Sequence, residues 1–284
     1  MSTWVWVDGN LSPAADATVA ALDHGITVGD GIFETCKVVE DTPFALTRHL
    51  ARLRSSAHVT GLRLPWTDDH LRAACSDTIA AAAQDGAPGR LRITVTGGPG
   101  PLGSDRSDVP PTLVIAAGPG GAWPAVTEVA TVEWTRNERS AVAGAKTTSY
   151  AEHVVALAAA HERGASEALL QNTVGALCEG TGSNLFLAVD GALCTPSLQT
   201  GCLAGITRAL VCEALAASGT PVTERDDLTF AHLREAGEAF LTSSTRDVHP
   251  ISAVDGHPLP SAPGPLTRGA IDAFTALQAR TLDP

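Results

Sequence analysis

Lysine is almost missing from this chain: of 19 lysines and arginines in 284 residues, only Lys37 and Lys146 are lysines. No basic run occurs and the formal net charge is −12, so a nucleic-acid backbone or an anionic membrane surface would repel the molecule. The six cysteines include no Cys-x-x-Cys pair and lie mostly in apolar stretches, which argues against a disulfide or zinc framework and for reduced core thiols. The nine histidines show no metal-ligand spacing, and Gly-x-Ser-x-Gly, Walker A and His-Glu-x-x-His patterns are absent, so no metal site is expected. The longest apolar run, Val154 to Ala160, is far too short to cross a bilayer, and the N-terminal MSTWVWVDGN lacks the basic and apolar regions of a signal peptide. A cytoplasmic protein with small-molecule partners is the expectation.

What is present suffices for a folded core: 44% of residues are hydrophobic and 18% charged. Length and pattern predict two lobes, residues 1–117 and 125–284, joined by the Gly- and Pro-rich segment 118–124. In the first lobe WVWV and an Asp8-Gly9 turn precede the strand in LDHGITVGDGIFETCKVVED. Helices are predicted at Leu46 to His58 and at Asp68 to Gln84, the latter capped by Thr67, with strands at Leu91 to Thr96 and Thr112 to Ala117. The second lobe opens with a strand around Val126 to Thr135. A helix from Tyr150 to Arg163 follows, with Ser149 and Glu152 in capping-box spacing and Gly164 as its stop. Strands at Glu167 to Gln171, Ala176 to Glu179, Asn184 to Val189 and Ala192 to Thr195 come next, the last two joined by an Asp190-Gly191 hairpin. Helices from Ile206 to Ala217 and Leu266 to Leu282 flank a strand at Glu238 to Thr242.

In a chain that uses arginine for nearly every positive charge, a surviving lysine is a candidate for its amine, because only lysine can attack a carbonyl as a neutral amine. Lys37 beside an apolar strand reads as a surface charge. Lys146, in AVAGAKTTSY, lies among small residues that leave room for a Schiff base. Gly98, Gly100 and Gly103 match Gly-x-Gly-x-x-Gly, but Pro99 and Pro101 intervene and no helix follows, so the segment is a loop and not a dinucleotide site. Glu179 in LCEGTGSNLF is either a solvated turn residue or the partner of a pyridinium nitrogen. Gly205, Ile206 and Thr207 open a predicted helix and form a ready anion site, with the hydroxyl-rich turn Thr242 to Thr245 as a second candidate. Arg48 alone would be a surface ion pair.

Together, VGDGIFET with Arg48 downstream, AKTTSY, CEGTGSNLF, CLAGITR and LTSSTRDVHP resemble the class IV aminotransferases over nearly the whole chain. The resemblance implies an α+β, two-domain fold-type IV architecture with a small N-terminal α/β lobe. The larger, β-barrel-like C-terminal lobe, with flanking helices, would carry the lysine. It implies pyridoxal 5′-phosphate (PLP) as cofactor and a homodimer. Lys146 would form the Schiff base and shuttle protons, Glu179 would pair with the pyridine nitrogen, and Tyr150 would approach the phenolic oxygen. Leu203 would pack on the ring, while Arg48, Ile206, Thr207, Ser243 and Ser244 would hold the phosphate. Phe33 and Arg106 are the candidate substrate contacts. Leu102 and Ser104 stand where D-amino acid aminotransferases carry an Arg-x-His carboxylate trap, and Leu102 where the lyases carry arginine, which leaves the carboxylate to Arg106. The likeness is greatest to aminodeoxychorismate lyases, which convert 4-amino-4-deoxychorismate to 4-aminobenzoate and pyruvate. A transaminase of a branched-chain or other small amino acid, or of an amine, is the alternative, and a non-catalytic PLP-binding protein a remote one.

Overall fold

A computed structural model describes residues 2–284, which divide into two compact units. The first comprises the chain up to Gly121 together with Ala145–Ser149 and Asp283; the second holds Ala122–Gly144, Tyr150–Leu282 and Pro284. The division after Gly121 falls inside the Gly- and Pro-rich segment. The lysine segment behaves otherwise: the sequence places it in the second lobe, but its contacts are with the first.

The first unit contains β1 (Trp4–Val7), β2 (Asn10–Pro13), α1 (His24–Thr27), β3 (Gly31–Val39), β4 (Thr42–Pro43), α2 (Leu46–Thr60), α3 (Asp68–Ala83), β5 (Arg90–Thr96) and β6 (Thr112–Gly118). Its sheet runs in the order β2-β1-β6-β5-β3-β4 with every pair antiparallel. Period-two alternation sends Ile32, Leu91, Ile93, Leu113 and Ile115 into one core with Leu50, Leu53, Leu71 and Ile79 of the two long helices. The same alternation puts Phe33 and Arg92 on the opposite face. Thr67 accepts from the His70 N–H and caps α3, as expected. α2 has no local cap, since Ala45 is left-handed at φ 57°; instead the Asp283 carboxylate, far along the chain, accepts from Thr47 N.

The second unit contains β7 (Thr127–Arg136), α4 (Ala151–Glu162), β8 (Glu167–Asn172), β9 (Leu177–Gly180), β10 (Asn184–Val189) and β11 (Ala192–Pro196). A 3-10 turn at Leu198–Thr200 leads to α5 (Ile206–Ala217), β12 (Thr223–Arg225), α6 (Phe230–Glu235), β13 (Ala239–Ser243), β14 (Asp247–Val254), β15 (His257–Pro258) and α7 (Pro265–Arg280). The strand order is β12-β11-β10-β13-β14-β7-β8-β9, with β15 on β14, and the sheet curls until β9 lies against β10. Leu185, Leu187, Leu241, Ile251 and Leu169 fill its interior, and Phe186 stacks on Phe240 with centroids 4.7 Å apart. The class is α+β, as the sequence implies.

All six cysteines are free thiols. Among the described residues, no cluster of three or more His, Cys, Asp and Glu is placed to hold a metal, and no helix is long and apolar enough to cross a membrane.

Candidate active site

Strand β3 is paired by β5 along one edge, but β4 covers only the far end of the other, at Val38 and Val39. The lysine segment docks on the remaining free edge: Phe33 N donates to Lys146 O at 2.9 Å, Thr148 N to Gly31 O at 2.8 Å, and Ile32 bridges Thr147. Ser56 of α2 takes the Lys146 N–H at 3.0 Å. Backbone hydrogen bonding thereby holds Lys146 with its Nζ 4.5 Å from the centre of the buried Phe33 ring. The Arg92 guanidinium lies 3.7 Å over the same ring, exposed to solvent. Sequence reasoning missed Arg92; its signal is strand parity, since it faces Thr35 across the ladder and shares the Phe33 side.

On the helix side of β3, Glu34 is fully buried and bonded by His49 Nδ1 at 2.7 Å and by Arg52 Nε and Nη2 at 2.8 and 2.7 Å. Burial pushes its carboxyl up, but the Arg52 charge and hydrogen bonds, with those of His49, outweigh it and bring the pKa down to about 2. Burial pushes the His49 ring down despite the Glu34 bond, and the charges of Arg52 and Lys146 act in the same direction. Arg48 is half-buried in the first turn of α2. Arg52, one turn on and missed in the sequence, shares the helix face of Ser56, which holds the lysine backbone.

Arg106 does not stand open. Its guanidinium donates to Asp30 from Nε and Nη2, both at 2.6 Å, and to the carbonyls of Gly61 and Thr60, both at 2.9 Å. Four of its five N–H donors are engaged within the protein, which does not fit the expected role of open carboxylate binder.

In the second unit Glu179 sits on β9, only 6% exposed, and its Oε2 accepts from Leu203 N at 2.8 Å. Arg136 Nε lies 3.4 Å from Oε1. The carboxylate is held, which excludes the solvated-turn alternative. Cys178 and Cys202 beside it are pushed up, first by burial and then by the Glu179 charge, Cys202 to about 11. Asn184 Nδ2 donates to Leu203 O at 2.9 Å and pairs across the ladder with Thr242, the neighbour of Ser243. Glu179, Leu203 and the Ser243 turn are thus tied through one asparagine. Gly205 caps α5 with no side-chain bond, leaving the first-turn N–H groups with Ile206 and Thr207 uncapped. Its Cα is hemmed in, since an added Cβ would fall 1.8 Å from Asn184 Oδ1. Ser244 lies half-buried in the turn between β13 and β14, where the Arg246 N–H binds Ser243 Oγ.

Tyr150 caps α4 with its ring 4.5 Å from that of His153. The capping box expected from Ser149 and Glu152 is not formed, because Ser149 Oγ donates instead to Gly29 O in the first unit. Gly164 ends the helix in the left-handed region at φ 77°, as expected.

These residues fit a phosphorylated pyridine aldehyde. An anchored carboxylate suits a protonated ring nitrogen, and an uncapped helix start suits a phosphate. Thr242 Oγ1, buried and without a hydrogen-bond partner, adds a polar atom that the fold itself does not satisfy.

Comparison with known proteins agrees. The family described as Amino-transferase class IV matches residues 31–254. A branched-chain-amino-acid aminotransferase of Pseudomonas aeruginosa is 32% identical over 95% of this chain and 91% of its own length. A D-alanine aminotransferase of Listeria monocytogenes is 30% identical over 89% and 88%. Among solved structures, the branched-chain aminotransferase of Thermoproteus uzoniensis superposes with a TM-score of 0.88 at 30% identity, covering 98% of this chain and 95% of the other. A Legionella pneumophila protein to which 4-amino-4-deoxychorismate lyase activity is ascribed gives 0.85 at 25% identity, covering 94% and 96%. Another branched-chain aminotransferase structure holds pyridoxamine 5′-phosphate.

Proposed function

The chain belongs to the class IV aminotransferases, PLP enzymes of fold-type IV, and from that membership we propose that it is a transaminase moving the amino group of a monocarboxylic amino acid to a 2-oxo acid. The observation that carries this reading is the pairing of Lys146 Nζ and the exposed Arg92 guanidinium on the Phe33 ring, 4.5 and 3.7 Å from its centre. An amine for proton transfer and a cation for a substrate carboxylate then meet the same ring. Bound PLP supplies an electron sink for the charge left when the substrate carbon loses its proton. Lys146 would hold the cofactor through Nζ and would take and return that proton at the same atom. Glu179, oriented by the Leu203 N–H, would keep the pyridine nitrogen protonated, and Tyr150 would serve the phenolic oxygen. Leu203 would pack on the ring. Ile206, Thr207, Ser243 and Ser244 would hold the phosphate, with Arg52 proposed in place of Arg48 as its arginine. The active form is a cytoplasmic homodimer.

A second reading, the lyase that makes 4-aminobenzoate and pyruvate, is favoured by the VGDGIFET segment and by the Legionella likeness. Its substrate carries two carboxylates, however, whereas Arg106 is bonded to Asp30 and the exposed Arg92 over the Phe33 ring offers a single cation. The test is to mix the PLP-loaded protein with L-leucine, L-valine, L-alanine or D-alanine, without an acceptor, and follow the lysine-bound absorbance. A donor that bleaches the band, with recovery on adding a 2-oxo acid and no response in Lys146→Ala, is the expected result. Turnover of 4-amino-4-deoxychorismate to equal 4-aminobenzoate and pyruvate, with no response to amino acids, would establish the lyase instead.

A further inference from the structure

Between β5 and β6 the chain runs from Gly97 to Pro111 without regular structure, and loops of this length in compact units are usually functional. Two clasps hold it. His24, 1% exposed, has Nε2 3.1 Å from Pro101 O, and Gly100 lies so close that an added Cβ would be 2.4 Å from that nitrogen. Arg106 forms the other, its fork closed on Asp30 and two further N–H groups on the carbonyls of Thr60, the last residue of α2, and of Gly61, its C-cap. The Asp30 hydrogen bond is the leading reason the Arg106 pKa is raised, so the guanidinium stays charged.

Asp30 is flanked by the two glycines that anchor the lysine segment. Gly29 O accepts from Thr148 Oγ1 at 3.0 Å and Ser149 Oγ at 2.9 Å, and Gly31 O accepts from Thr148 N at 2.8 Å. Asp30 O in turn accepts from Gly97 N, where the loop begins. Three consecutive residues therefore bond the loop with their middle member and the Lys146 segment with their outer two. A bidentate arginine–carboxylate pair constrains direction as well as distance, so it transmits the loop's position to the backbone of Gly29–Gly31.

We propose that Arg106 is a positioning residue: through Asp30 it couples the Gly97–Pro111 loop to the register of the lysine segment on β3. The proposal rests on the reading of Lys146 as the reactive amine, because that gives the register its consequence. Arg106 then reaches the chemistry through backbone and not by touching substrate. Loss of the pair would loosen loop and lysine segment together.

The test is amide hydrogen exchange on the PLP-loaded protein, in wild type, Arg106→Ala, Arg106→Lys, Asp30→Asn and the control Arg63→Ala, which bonds the same loop at Asp108 and Val109 O but not Asp30. Arg106→Ala is expected to speed exchange in both Gly97–Pro111 and Thr147–Ser149 by about tenfold. Asp30→Asn should do the same, Arg106→Lys should recover part of the protection, and Arg63→Ala should leave Thr147–Ser149 unchanged. Faster exchange confined to the loop overturns the coupling. A rise in substrate KM with exchange unchanged overturns it differently, making Arg106 a direct substrate contact. Borohydride reduction followed by peptide mass analysis checks the premise separately: cofactor fixed anywhere but Lys146 removes the reading of the amine, whatever the exchange result.

Discussion

Arg48 and Arg52 stand one turn apart on α2, and nothing in their local sequence tells them apart. The fold does: Arg52 bonds the buried Glu34 and stands one turn from Ser56, which holds the lysine segment, whereas Arg48 stands two turns from it, in the first turn. If Arg52 also holds the cofactor phosphate, Arg52→Lys, which keeps the charge but loses the fork, should weaken PLP binding by about tenfold or more. Arg48→Ala should change it by less than about threefold. Equilibrium titration of each variant with PLP measures both, and the reverse order would return the phosphate to Arg48. Lys146 was legible as a candidate because lysine is scarce here and because its neighbours are small. The pairing of Arg106 was not, since a sequence shows that a cation is present and not that Asp30, Thr60 and Gly61 have already taken four of its five N–H groups.

At the scale of elements, the patterns that depend on neighbouring residues were the readable ones. α5 runs from Ile206 to Ala217 and β10 from Asn184 to Val189, the limits that periodicity predicts, and Asp190 and Gly191 turn the hairpin with φ of 51° and 79°. What failed depended on distant partners. Ser149 has the capping spacing but is drawn to Gly29, and β14 carries Pro250 inside it yet pairs with β13 along Asp247 to Pro250. The CLAGITR turn combines both kinds. Gly205 has an ordinary φ of −66°, so its need for glycine comes only from Asn184 pressing on it. Gly205→Ala must displace the Asn184 side chain, with its bond to Leu203 O and hence the Leu203 N–H on Glu179. PLP affinity should fall by about tenfold or more. By contrast Gly269, exposed within α7 and with nothing near an added Cβ, should become about 0.5–1 kcal/mol more stable as alanine. Thermal melts and PLP titrations of the two variants compare them; equal PLP affinity in wild type and Gly205→Ala would show that the turn does not serve the cofactor.

For the whole molecule, the buried Glu34–His49–Arg52 cluster predicts how stability depends on acid. Glu34 has its pKa lowered from 4.5 to about 2, so its contribution is full above the unfolded value and is lost as pH falls from 4.5 through about 2. The shift corresponds to about 3 kcal/mol at most. His49 adds a loss of the same sign that begins higher. Its folded pKa lies below 6.5, so the unfolded chain gains a proton there that the folded chain refuses, and stability declines as pH drops beneath that point. Neither effect requires the cofactor, so both belong to the fold. Urea unfolding at steps from pH 7.5 to 2.5 should show a shallow decline starting near pH 6.5 and a steeper one below 4.5. Other carboxylates with lowered pKa, such as Asp255, contribute to the steep part, so the measurement that isolates Glu34 is the difference from Glu34→Gln. That variant should start lower at pH 7, because Arg52 loses its buried partner, and should approach the wild type as pH falls. Parallel profiles would mean that Glu34 is already protonated in the folded protein and that the cluster is not ionic.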